Sequence, residues 1–404
     1  MCIRDSNILV TTYEFVMKDR AKLSKIDWQY IVIDEAQRMK DRQSKLAKDL
    51  DKFTALRRLL LSGTPLQNDL QELWSLLNLL LPDIFDDSKM FAEWFGEQNN
   101  GKGGDWLETE KRVVVVHRLH QILEPFMLRR QVEDVESKLP EKTTYVIHAP
   151  MSAHQSVTYS WIKTTGTLRM DPFSDYSNRF NRERANLQNK CMELRKVCNH
   201  PMLSYTPPTW AVGDAIIKQC GKLVLLDKML VKLKASGHKV LLFSTMTKLL
   251  DILEVYLQWR ELPELAGGGK MKYLRIDGST SLDDREKAIR EFNAPDSDSF
   301  IFLLSIRAAG RGLNLQSSDT VIIYDPDPNP KNEEQAIARS HRIGQTREVK
   351  VFHLEAVTDS YGSNGIPESE TIRDTTRTLY GDSIESIVRN QIQTRKIAMA
   401  NEII

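Results

Sequence analysis

Asp34-Glu35-Ala36-Gln37 follows directly on the apolar run Tyr30-Ile-Val-Ile33. A carboxylate placed there stands at the carboxyl edge of a parallel sheet, where open α/β folds take their ligands. Asp34 could hold a Mg²⁺ bridging nucleotide phosphates, and Glu35 could orient or deprotonate an attacking water. An acidic helix start accounts for the same pair, since Asp and Glu favour that end of the macrodipole, and taken alone it is the commoner explanation. Further along, Arg339 and Arg342 lie three residues apart in Gln335-Ala-Ile-Ala-Arg-Ser-His-Arg-Ile-Gly-Gln345, so a helix would project them from one face. Two guanidiniums on one face can clamp the oxygens of a transferring phosphoryl group. A solvated helix face beside Glu333 and Glu334 is the plain alternative.

Two further loops have the right residue types for a phosphate or base. Ser62-Gly-Thr-Pro65 follows the run Arg58-Leu-Leu-Leu61. Thr64 is a natural N-cap and Pro65 a natural first helical residue, so capping and the sensing of a phosphate state weigh about equally. In Ala308-Ala-Gly-Arg-Gly-Leu-Asn-Leu315, Gly310 and Gly312 permit close backbone approach or positive φ, as would a simple tight turn. Cys191, Cys198 and His200 suggest zinc, but the spacing C-x6-C-x-H lacks a second paired cluster, and buried thiols on a helix explain it better. Basic residues at Lys18–Lys22, Arg57-Arg58, Arg129-Arg130 and Arg182–Arg184 would follow a phosphate backbone only if one cleft gathered them.

The elements that must position these groups alternate between strand and helix. Asn7-Ile-Leu-Val10, Tyr30–Ile33 and Arg58–Leu61 read as strands of a first α/β segment, the last two as runs covered on both faces. Lys239–Phe243, Lys272–Ile276, Phe300–Leu304, Thr320–Tyr324 and Val349–Leu354 read as strands of a second, with helical patterns between most of them. Between the two segments the texture is mostly helical, with one strand expected at Thr143–His148. The fold class is therefore α/β. The expected organisation is residues 7–81, the C-terminal part of a first lobe; 82–215, helical insertions and an inter-lobe region; and 216–356, a second lobe. A disordered linker at 357–382 and a helical segment at 383–404 complete it, and residues 1–6 match neither pattern.

Composition narrows the class without naming a partner. The 404 residues carry 56 Lys+Arg against 55 Asp+Glu, a net charge of +1, so any basic surface is local. Four cysteines make no disulfide framework at this length, which argues for a reducing compartment, and no apolar run approaches the roughly 20 residues of a membrane span.

Taken together and in order, the Asp-Glu pair, Ser62-Gly-Thr-Pro-Leu-Gln-Asn68 and His341-Arg-Ile-Gly-Gln345 resemble motifs II, III and VI of superfamily-two helicase-like ATPases of the Swi/Snf chromatin-remodelling family. Thr11-Thr-Tyr-Glu14 resembles motif Ib, Leu241-Leu-Phe-Ser-Thr-Met246 motif IV, Arg275-Ile-Asp-Gly-Ser279 the DNA-side motif after it, and Ser305–Gln316 motif V. Leu194-Arg-Lys-Val-Cys-Asn-His-Pro201 matches a run that precedes the second lobe in that family, and the likeness is greatest to its Brahma-type catalytic subunits.

The resemblance implies two RecA-like parallel-sheet lobes with helical insertions, ATP and Mg²⁺ in the cleft, and duplex DNA across both lobes. On that basis Asp34 would serve the metal and Glu35 the water, with Arg339 and Arg342 reaching the γ-phosphate. Gly310, Gly312 and Gln345 would line the nucleotide, and Gln37, Ser62 and Thr64 would couple its state to movement. Thr11, Thr12, Ser244, Arg275 and Gly278 would lie near DNA. The implied partners are duplex DNA, nucleosomes and other remodelling subunits, with no membrane, and the implied compartment is the nucleus. Three departures stand out: Gln37 where many members have His, Pro328-Asn-Pro330 where Trp-Asn-Pro is frequent, and no G-x-x-x-x-G-K-[ST] anywhere in the 404 residues. The expectation is a chain with an incomplete first lobe that hydrolyses ATP negligibly by itself. A non-catalytic DNA- or protein-binding remnant and a repair-type translocase are the alternatives.

Overall fold

The computed structural model describes residues 6–39, 44–62, 70–82, 84–87, 89, 121, 124–128, 130, 139–169, 184–186, 189–204, 213–260, 270–309, 312–359 and 380–403, with the side chains of 37, 38, 70–73, 168, 169, 184–186, 359, 380, 381 and 399–403 outside that description. Two compact units divide the chain, residues 1–129 with 395–404 and residues 130–394.

In the first unit, β1 (Trp28–Ile33) and β2 (Ala55–Leu60) pair in parallel, with Ile33 opposite Leu60. Helices Tyr13–Lys18, Lys45–Leu50 and Leu70–Leu80 accompany them, and Ile33, Ala36, Met39, Ala47, Leu50, Leu76 and Leu79 form the core. Only one face is covered among the described residues: Tyr30 and Val32 are each 56% exposed and Leu56 is 68% exposed, which corrects the expectation of strands buried on both sides. The predicted strand at Asn7–Val10 does not form: the segment is irregular and pairs with no strand among the described residues, its Val10 side chain 90% exposed.

The second unit is built on a larger parallel sheet. β3 (Lys142–Pro150) comes first, then the short antiparallel pair β4 (Thr167–Arg169) and β5 (Arg184–Asn186). There follow β6 (Val240–Ser244), β7 (Tyr273–Ile276), β8 (Ile301–Ser305), β9 (Thr320–Ile323), β10 (Val349–Asp359) and β11 (Tyr380–Gly381). The parallel order is β3-β10-β9-β6-β8-β7, with β11 antiparallel on the end of β10. The central strands β6, β8 and β9 bury every residue, as continuous apolar runs between two helix layers must. Leu242, Leu303 and Ile322 pack on helices Gly221–Ala235 and Thr247–Trp259, whereas Leu241, Phe243, Phe302 and Val321 pack with Phe292 and Ala336 on the other face.

The strand expected at Thr143–His148 thus belongs to this sheet, so the second unit reaches back well before residue 216. Helix Gly221–Ala235 approaches it so closely that a Cβ on Gly221 would stand 1.8 Å from the Pro150 carbonyl oxygen. The linker expected at 357–382 is strand at both ends, where Thr358 pairs with Gly381 and Asp359 with Tyr380; residues 360–379 lie outside the described set.

The segment expected to be helical from residue 383 is helix Ile384–Ile387, a π-helical stretch Val388–Gln393 and helix Thr394–Ile403. Residues 383–394 belong to the second unit, where Ile384 packs on the cluster of Tyr159 and Ile162 and polar contacts do the rest. Glu385 meets Lys222 and accepts from the Ala356 amide, Ser386 and Arg389 hold Glu355, and the Gln393 amide donates to Asp327 O and Glu333 Oε1, each at 2.7 Å.

Candidate nucleotide and DNA contact residues

Asp34 and Glu35 form the turn that leaves the carboxyl end of β1. Leu61, at the end of β2, brackets this turn: its amide donates to Ile33 O at 2.8 Å and its carbonyl accepts from the Ala36 amide at 2.9 Å. Ser62 therefore sits next to the acidic pair through its neighbour Leu61, and it is half-buried. Asp34 is exposed and its Oδ1 accepts from the Glu35 amide at 2.9 Å. Glu35 has φ 53°, the only positive value at a non-glycine residue among those described. Backbone in that region is held against a steric cost and gathers at functional turns. Thr64 and the side chain of Gln37 lie outside the described residues.

Thr11 and Thr12 are exposed, immediately before helix Tyr13–Lys18, and the Thr12 hydroxyl caps that helix by accepting from the Phe15 amide.

In the second unit the arginines do not share a helical face. Helix Pro330–Ile337 stops at Ala338, and Arg339 and Arg342 lie in the turns beyond it. Long-range bonds stop the helix: Ser340 Oγ donates to Ser318 O at 2.7 Å, His341 Nε2 pairs with Pro140 O at 2.8 Å, and Gly344 takes φ 100°. Arg342 is exposed, whereas Arg339 is half-buried with Nε on Gln335 O at 3.0 Å. Gln345 is buried, and its amide donates to the carbonyls of Gln316, Ser318 and Ser340 while its oxygen accepts from the Thr346 and Arg347 amides. With five bonds already made, its side chain pins the arginine loop to the 312–318 loop and has no capacity left to grip a nucleotide. Gly312 opens that second loop with φ 72°, and Leu315 N donates to Arg339 O at 3.1 Å; Gly310 lies outside the described residues.

The residues expected at DNA fare differently from one another. Ser244, the last residue of β6, is fully buried and donates to Asp325 Oδ1 at 2.7 Å, so its hydroxyl is not presented to a phosphate. Arg275 is ringed by Asp251, Glu254 and Asp277 at 2.7 to 2.8 Å. A phosphate would have to displace one of these carboxylates to reach it. Gly278 is exposed in the turn that Asp277 organises by accepting from Ser279, and a Cβ there would meet nothing within 4 Å.

Asp325 is the residue that sequence reasoning passed over. It stands after β9 as Asp34 stands after β1, a carboxylate following an apolar run, and that signal was available. It binds Ser244, Thr245 and the guanidinium of Arg195, whose NH2 also donates to Pro326 O at 2.8 Å. Arg195 thereby ties helix Lys190–Asn199 to the carboxyl ends of β6 and β9.

Cys198 and His200 have structural partners. Cys198 is buried in an apolar cluster, and the two His200 nitrogens meet Ile216 O and the Met202 amide, with burial pushing its pKa down to about 4.

Comparison with known proteins decides the family. The SNF2-related domain matches residues 1–203 and the helicase conserved C-terminal domain residues 221–344. The chain belongs to the SNF2-related family. It is 58% identical over its whole length to ATP-dependent helicase BRM of Arabidopsis thaliana, of which it covers 19%. It is 45% identical, over 87% of its length, to ATP-dependent helicase brm of Drosophila melanogaster, covering 22% of that protein. The same identity and share hold for chromatin structure-remodeling complex subunit snf21 of Schizosaccharomyces pombe, of which it covers 29%. This SNF2-related chain thus spans only 19 to 29% of the length of these relatives.

In this SNF2-related chain the two parallel sheets are the RecA-like lobes. The exposed carboxylate of Asp34 suits Mg²⁺, a hard cation that takes one or two protein carboxylates and fills its other positions with water and phosphate. Among the described residues no cluster of three ligating side chains forms a dedicated metal cage.

Proposed function

We propose that this chain supplies ATP-hydrolysing, DNA-translocating machinery of a Swi/Snf-type chromatin remodeller. It acts in the nucleus, on duplex DNA wound in nucleosomes, alongside other subunits of a complex. The observation that carries this reading is the turn after β1, where an exposed Asp34 and a backbone-strained Glu35 stand at the carboxyl edge of a parallel sheet in an SNF2-related chain.

Asp34 would hold Mg²⁺, which when bound neutralises charge on the phosphates. Glu35 would accept a proton from the attacking water, and Arg339 and Arg342 would offset the negative charge of the γ-phosphoryl oxygens. Thr11, Thr12 and the Gly278 turn offer hydroxyls and backbone amides to the DNA phosphates, which fix register without reading sequence. Gly312 and the loop that Gln345 pins would shape the nucleotide's surroundings, and Ser62 would report its state to the Asp34-Glu35 turn. The relatives' names support the setting: one is a chromatin structure-remodeling complex subunit and another a nuclear protein of Saccharomyces cerevisiae.

The alternative is a non-catalytic DNA-binding role, which the exposed Thr11, Thr12 and Gly278 would serve without hydrolysis. A chimera with a Gly-rich Lys-Thr loop segment of an SNF2-related relative ahead of Asn7 separates the two. ATP hydrolysis stimulated by duplex DNA and abolished by Glu35→Gln supports the motor. A chimera that binds duplex DNA yet never hydrolyses ATP leaves the binding role.

A further inference from the structure

Tyr13 bridges the two ends of the first unit's chemistry. It is the first residue of helix Tyr13–Lys18, directly after Thr11 and Thr12, and its ring packs on the first unit's core. Its hydroxyl donates to the Asp34 carbonyl and lies 3.5 Å from the Glu35 carbonyl. The Asp34–Glu35 peptide is thus gripped from outside its own strand at the one described non-glycine residue with positive φ.

We propose that Tyr13 is a positioning residue. Its phenol holds the Asp34–Glu35 peptide in the orientation that sets the two carboxylates, and it carries displacement of the Thr11-Thr12 segment to them. Left to itself, a glutamate with φ 53° relaxes to negative φ, and that rotation swings the Asp34–Glu35 peptide plane. Rotation would take the Asp34 carbonyl away from the Tyr13 hydroxyl, so the bond opposes it directly. The Thr12 cap fixes the first turn of the helix, so a ligand on Thr11 or Thr12 moves Tyr13 with them. Coupling travels through physical contact between two arrangements of one element, and here that element is a single peptide unit. The transmitting half of the proposal rests on the reading of Thr11 and Thr12 as DNA contacts, whereas the holding half does not.

Hydrogen exchange of the 404-residue chain tests the two halves separately. Without DNA, Tyr13→Phe keeps the ring and removes the hydroxyl. Exchange at the Glu35 and Ala36 amides should rise about three- to tenfold, the worth of one net hydrogen bond, while β6 and β8 stay unchanged. Adding Glu35→Gly, which tolerates positive φ, should shrink that rise, because the turn then needs no external hold. Equal exchange in Tyr13→Phe and the wild type, or a rise that glycine leaves untouched, overturns the holding role. With a short duplex DNA bound, as followed by fluorescence anisotropy, exchange at residues 34–36 should change in the wild type and not in Tyr13→Phe. DNA that binds both equally and changes both equally overturns the transmission. DNA that binds neither refutes the DNA reading of Thr11 and Thr12, and with it the transmission, leaving the holding role to the first measurement.

Discussion

Lys222 Nζ and Glu385 Oε1 are 2.6 Å apart, both side chains wholly shielded from solvent. Lys222 also donates to Asn199 Oδ1 and Tyr324 O, and Glu385 accepts from the Ala356 amide, so every charge-bearing atom of the pair has a partner. Removing one member strands the other's charge in an apolar setting, which costs about 3–5 kcal/mol. Lys222→Met and Glu385→Leu should each lower the stability of the second unit by that amount. The double variant should lose clearly less than their sum, as read from urea unfolding curves. Additive losses would mean that the two groups do not depend on each other.

Two buried groups should give the second unit opposite pH slopes. Burial raises Glu333 from 4.5 to about 7, against the pull of Arg389 and the hydrogen bonds from Asp327 and Gln393. The native state therefore keeps a proton that the unfolded chain releases above its ordinary value, and stability falls as pH rises through that window, by roughly 3 kcal/mol. Burial lowers His200 from 6.5 to about 4, so the unfolded chain binds the extra proton and stability falls as pH drops from 6.5 towards 4. Urea midpoints from pH 4 to 8 should show Glu333→Gln gaining on the wild type as pH rises from 4.5 to about 7, and His200→Gln gaining on it as pH falls from 6.5 towards 4.

Gly221 is a contact-distance constraint. Gly221→Ala places a methyl against the backbone oxygen of Pro150, which has no rotamer with which to retreat. A loss of about 3 kcal/mol or more is expected, with helix Gly221–Ala235 forced off β3. Thermal melting checks it, and a wild-type melting temperature would contradict the packing described.

ATP turnover should follow the phosphate loop. The 404 residues alone should hydrolyse ATP at background rate, since the cradle of backbone amides and its lysine supply the main anchor for the triphosphate. In the chimera that carries such a loop, Glu35→Gln should reduce the DNA-stimulated rate by about a hundredfold or more with DNA affinity retained. A phosphate-release assay on both proteins decides the matter.

The second sheet was legible because β6, β8 and β9 are unbroken apolar runs, a local property that survives folding. The acidic turn after β1 was legible for the same reason, a carboxylate at the end of such a run. What stayed hidden depends on partners distant in sequence. The helix through Arg339 ends because Ser340 and Gln345 find carbonyls at residues 316–318, and Ser244 disappears from the surface because Asp325 reaches back to it. The resemblance put Arg275 near DNA, and what it did not show is that Asp251 and Glu254, from helix Thr247–Trp259, join the adjacent Asp277 around its guanidinium. The exposed faces of Tyr30 and Val32 escaped notice because apolar composition alone does not say how many layers will cover a strand.

The pairing of β3 with β10 has a consequence for biosynthesis. Lys142 meets Val349, a partner synthesised roughly two hundred residues later, so at ordinary ribosomal speeds β3 waits about ten seconds or more with its ladder unmade. During that interval its Tyr145, Val146 and Ile147 offer a sticky edge to any other nascent chain, and holding that edge is work for a chaperone until the last strands emerge.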